Sequence, residues 1–69
     1  MNNFKMTVMI DPSDSPDLVE IVLTIAYVEN HHMLEFASIC AQINQDGIVD
    51  GTTNTWYPPY QIRKIQYEG

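Results

Sequence analysis

The chain has 69 residues, enough for one domain near the lower limit for a core that folds without disulfides or metals, and its single cysteine, Cys40, excludes an intramolecular disulfide framework. A hydrophobic content of 45% excludes a disordered chain. The formal net charge is −6, but Lys5, Arg63 and Lys64 all stand near the ends, so residues 6–62 hold eight of the nine carboxylates and no Lys or Arg, a balance that disfavours nucleic acid and anionic membrane as direct partners and favours cationic ones.

No apolar run reaches the roughly 18 residues of a membrane span. The longest, Leu18 to Val28, is interrupted by Glu20 and Thr24, and Met1 to Lys5 lacks the apolar block of a signal peptide. The expectation is an intracellular, soluble protein.

Phe4, Met6, Val8 and Ile10 alternate with Lys5, Thr7 and Met9, the period of a half-buried strand. Asp11 to Asp17 follows as an acidic loop carrying two prolines and two serines. Leu18 to Val28 has two readings. Ser15-Pro16-Asp17 resembles a helix start, yet Val19, Ile21, Val22, Thr24, Ile25 and Val28 are β-branched and pack better on a pleated surface. The strand reading is preferred. It puts Val19, Ile21, Leu23, Ile25 and Tyr27 on one face, with Glu20, Thr24 and Ala26 opposite.

At Glu29-Asn30 the period changes. Asn30 is placed as a helix cap, and Met33, Phe36, Ala37, Cys40 and Ile43 form the apolar stripe of a helix of about four turns. Asp46-Gly47 ends it, glycine being the natural left-handed stop. Residues 48–59 read as a polar connection, stiffened by Pro58-Pro59. Tyr60 to Tyr67 reads as a last strand in which Ile62 and Ile65 differ in parity, so both can face one core only across a bulge. The expected fold is α+β, one domain over residues 1–69. Its order is β-β-α-β, a three-stranded antiparallel sheet with one helix packed on one face. A right-handed crossover places the last strand beside the first.

Catalytic motifs are missing: there is no phosphate-cradling glycine loop and no nucleophile elbow. His31 and His32 are adjacent in a helical first turn, where their side chains diverge by about 100° and do not chelate one ion together. They read as solvated. Cys40 lies on the apolar stripe and reads as a small buried hydrophobe. Asn44-Gln45-Asp46-Gly47 superficially suggests a calcium loop, but aligning Gly47 with that loop's glycine puts Gln42 and Thr53 at the two end-ligand positions, where carboxylates belong. No catalytic residue, metal or cofactor is assigned, and the expectation is a non-enzyme.

Carboxylates and aromatics remain. Asp11, Asp14 and Asp17 recur at three-residue spacing and Glu20 continues the series, while Asp46 and Asp50 form a second patch. Trp56 and Tyr57 are candidate interface anchors, in a tail that also carries Tyr60 and Tyr67. Together Asp11, Asp14, Asp17, Glu20, Asp46, Asp50, Trp56 and Tyr57 are the expected partner-binding residues.

In size, acidity and order of elements the chain resembles small phage-encoded proteins that disable host machinery, namely anti-CRISPR proteins and small inhibitors of host RNA polymerase. The resemblance implies a cytoplasmic inhibitor or adaptor in a bacterial host. Its acidic side chains would occupy the nucleic-acid-binding surface of a basic host protein. The alternative expectation is a small structural or assembly module acting as a homodimer, which completes a limited core across a two-fold interface.

Overall fold

The computed structural model describes residues 2–69. The elements are β1 (Asn2–Ile10), β2 (Val19–Tyr27), α1 (His32–Asp46), β3 (Ile48–Asp50), β4 (Thr55–Tyr57), a 3-10 turn (Pro59–Gln61) and β5 (Ile62–Tyr67). The main sheet has the order β2-β1-β5, antiparallel throughout, so the chain has the α+β class and the three-stranded antiparallel sheet expected.

β1 is the central strand. Its inward residues Phe4, Met6, Val8 and Ile10 are at most 1% exposed, because neighbouring strands flank them and α1 covers them. Alternation holds in β2, where Val19, Leu23, Ile25 and Tyr27 are half-buried, Ile21 is buried, and Glu20, Val22, Thr24 and Ala26 are exposed. The parity conflict in the last strand is resolved as the pattern requires. Met9 pairs with Lys64 and Ile10 with Ile62, so Arg63 is the extra residue of a bulge, and both Ile62 and Ile65 pack on the core.

Four local expectations need correction. Asn30 does not cap the helix: it has φ 65° in a turn closed by the His31 N–H donating to the Val28 carbonyl (2.9 Å), and the helix begins one residue after His31, which makes no side-chain cap. Asn tolerates that left-handed position better than most side chains. The helix stripe is rotated from the one expected. His32, Phe36, Ile39, Cys40 and Ile43 face the sheet, whereas Met33 and Ala37 are exposed. The rotation goes with aromatic packing at the start of α1, where His32 rather than Met33 seats against Tyr27 and Tyr67, while Phe36, inward in either arrangement, meets Phe4 edge-on at 6.2 Å and Tyr67 at 5.4 Å. His32 is accordingly half-buried between Tyr27 (5.5 Å) and Tyr67 (6.1 Å), not solvated, while His31 is exposed. Finally, residues 48–59 are not a featureless connection. β3 and β4 form a hairpin in which Ile48 pairs with Tyr57 and Val49 with Trp56; the first pair joins the core and the outer pair carries two of the exposed apolar side chains.

Gly47 links the helix to this hairpin. It has φ 81°, its N–H donates to the Ile43 carbonyl (2.9 Å), and a Cβ there would lie 2.3 Å from the Tyr57 carbonyl oxygen and 2.8 Å from Trp56 Nε1. Glycine is needed both for the backbone angle and for the close approach of β4. Gly47→Ala is expected to destabilise the chain by about 3 kcal/mol, read as a lower urea midpoint, since strain at the angle adds to the clash.

Candidate partner-docking site

The site lies where the β1–β2 loop, the β3–β4 hairpin and the 3-10 turn meet. Pro12 is buried and anchors the loop, and the Asp11 N–H donates to the Gln61 carbonyl (2.8 Å). Gln61 Nε2 in turn donates to Ser13 Oγ (3.1 Å), so the 3-10 turn holds the acidic loop at two points. Ser15 accepts from the Asp17 N–H (3.3 Å), a local turn of the kind serine favours. Between loop and hairpin runs a groove of about 350 Å³, with Ser13 and Asp14 on the loop side and Trp56, Tyr57, Pro58 and Tyr60 on the other.

Trp56 has two roles. Its indole N–H donates to the Asp46 carbonyl (2.9 Å) at the C-terminus of α1, which has no basic residue in its last turn, while the residue as a whole remains 57% exposed and lines the groove. Tyr60, 79% exposed, adds a second accessible ring. The helix end contributes partial negative charge, and Asp46 adds to it where a cation would be the stabilising choice. Asp11 is paired with Arg63 at 3.7 Å, with both side chains more than half exposed, so the pair is screened and contributes at most about 1 kcal/mol. Among the described residues, Asp14 and Asp17 have no cation within ion-pair distance.

Of the residues expected from sequence, the structure brings Asp14, Trp56 and Tyr57 into one groove, with Asp11 and Asp17 on the same loop and Asp46 joined to Trp56 through its backbone. Asp50 is held in the hairpin turn, where its Oδ1 accepts from the Thr52 N–H (3.0 Å). Glu20 lies elsewhere. It pairs with Met9, which pairs on its other side with Lys64, so Glu20 belongs to the uncovered face of the sheet. The aromatic tail also divides. Tyr67 packs against Phe4 at 5.3 Å in the core, and only Trp56, Tyr57 and Tyr60 reach the groove. Ser13, Tyr60 and Gln61 were not among the expected binding residues. Pro58-Pro59 is the signal that could have found them, because consecutive prolines before Tyr60-Gln61 favour a turn that reverses onto a neighbouring loop.

Other chemistry has little footing. Burial pushes the Cys40 thiol up from its ordinary value, which disfavours the thiolate. Among the described residues no group of three or more His, Cys, Asp or Glu side chains is placed to hold a metal ion, and no helix is long and apolar enough to cross a membrane. No family model, curated protein or solved structure matches the chain.

Two outcomes follow from this geometry. Trp56→Phe keeps an aromatic ring, though a smaller one, and removes the indole donor, and should lower stability by about 1 kcal/mol in urea unfolding. Cys40 should be alkylated by iodoacetamide at pH 8 more slowly than a free thiol such as glutathione, because less of it is thiolate at that pH.

Proposed function

We propose that the chain is a non-enzymatic inhibitor or adaptor that docks its acidic, aromatic end on a basic, nucleic-acid-handling protein. The observation that carries this reading is the sharing of one groove by Asp14, Trp56, Tyr57 and Tyr60. A carboxylate beside accessible ring faces suits a Lys or Arg side chain, which gains an ion pair and a cation–π contact from the same seat. Arg has the further advantage of stacking flat on an indole or phenol.

The surrounding charge favours the same partner. Asp11, Asp14 and Asp17 stand together on the loop that forms one wall, and the C-terminal end of α1 adds its dipole nearby. Such a surface attracts a cationic protein over a distance set by the ionic strength, and it occupies the place phosphates would take. The resemblance to phage-encoded inhibitors points to a host protein of that kind.

The test is capture from a bacterial lysate with the chain immobilised, followed by stepped salt elution and mass spectrometry. A basic nucleic-acid-binding protein should be retained in stoichiometric amount and released as salt rises. Asp11→Asn/Asp14→Asn/Asp17→Asn should lose at least about tenfold in affinity for it while unfolding at nearly the same urea concentration. Glu20→Gln, on the uncovered sheet face, should leave binding unchanged. Equal capture by the triple variant would overturn the reading.

A further inference from the structure

The two edges of the main sheet are built differently. β5 is six residues long, is interrupted by the bulge at Arg63, and carries Arg63 and Lys64. Short length, bulges and lysines are the devices by which edge strands avoid pairing with another chain. β2, the other edge, has none of them. It runs nine residues without Pro, Gly, Lys or Arg, has five β-branched side chains, and carries a single charge, Glu20. Its partner on one side is β1, and its other side pairs with no strand among the described residues.

Burial points to the same edge. α1 covers the middle of the sheet, where the inward side chains of β1 are buried, but on the same face of β2 only Ile21 is buried, and Val19, Leu23, Ile25 and Tyr27 are half-buried. On the opposite face Val22 is 55% exposed. An apolar row with unused backbone donors and acceptors therefore runs along the whole edge.

We infer that β2 is a homodimer interface, pairing antiparallel with β2 of a second copy about a two-fold axis through Leu23, to give a continuous six-stranded sheet. Three features select a second copy as the occupant. First, this register uses all nine residues and sets Val19 opposite the partner's Tyr27, Ile21 opposite the partner's Ile25 and Leu23 opposite itself, so the inward row, half-buried except at Ile21, becomes a continuous apolar seam. Second, it sets Glu20, the one charge of β2, opposite the partner's Ala26, so no like charges are paired within the strands. Third, the acidic loops preceding each β2 end up about 27 Å apart along the strands, several times the screening length of about 8 Å at physiological salt. The groove residues all lie outside β2 and take no part in the seam.

The inference is independent of what the groove binds. Sedimentation equilibrium at about 100 µM should give twice the chain mass for the wild-type chain. In the proposed register residue 22 faces residue 24 of the second copy, and both Val22 and Thr24 are exposed in the single chain. Val22→Lys/Thr24→Lys therefore sets Lys against Lys, and Val22→Glu/Thr24→Glu sets Glu against Glu. Each variant alone should weaken the dimer by about tenfold or more while keeping the wild-type far-UV circular dichroism, and an equimolar mixture of the two should recover dimer as a heterodimer. A monomeric wild-type chain at that concentration would overturn the inference. So would a Lys variant that dimerises as the wild type does, or a mixture that stays monomeric.

Discussion

The fold depends on enclosing one strand. β1 is hydrogen-bonded on both sides and covered on its inner face, and its four inward side chains are the largest fully buried ones among the described residues. Every other element is placed by what it contributes to that enclosure. β2 and β5 supply the flanks, α1 the cover, and the β3–β4 hairpin closes one end with Ile48 and Tyr57. At the other end the aromatic cluster of Phe4, Tyr27, Phe36, Tyr67 and His32 ties all three strands to the first turns of the helix. Within one chain α1 and the hairpin cover one face of the sheet, and the second face is left uncovered.

That one-sided construction sorts the charges. Lys5 and Lys64, far apart in the chain, both alternate out of the core face and lie on the uncovered side of the sheet together with Glu20. Arg63, extruded by the bulge, reaches Asp11. Among the described residues the remaining loop aspartates have no such neighbour, and the end of the molecule that carries them is also where the helix dipole is negative. Segregation of charge thus follows from strand alternation and from where the chain must turn.

Strand and helix periodicity made most of the fold legible. β1 and β2 follow a period of two closely enough that the inward face of each comes from the pattern alone, and the parity clash of Ile62 with Ile65 requires the bulge found at Arg63. What the pattern could not settle was rotation and local capping. Met33 and Ile39 are both apolar, and the arrangement that turns Ile39 inward is the one that seats His32 against Tyr27 and Tyr67, the latter contact spanning more than thirty positions. The hairpin was hidden for a related reason. Two strands of three residues carry too little alternation to register, and their pairing depends on Gly47 allowing β4 to approach the helix end. Of the candidate site, the acidic loop and Trp56-Tyr57 were visible separately. Their convergence was not, because it rests on Gln61 bridging to Ser13 across 48 positions.

Trp56 shows how little spare material the chain has. A helix that ends in Asp46 without a basic residue leaves its last carbonyls poorly served, and the indole supplies a donor from the hairpin. The same contact holds Trp56, an exposed residue, in the groove that Asp14 also lines. A lysine or arginine in the last turn would satisfy the helix end as well and would favour its dipole, but it would also neutralise the negative end of the molecule. Using a neutral aromatic donor there stabilises the helix without spending the negative potential. A protein whose partner is cationic would need that choice, and one for which the acids serve solubility alone would not.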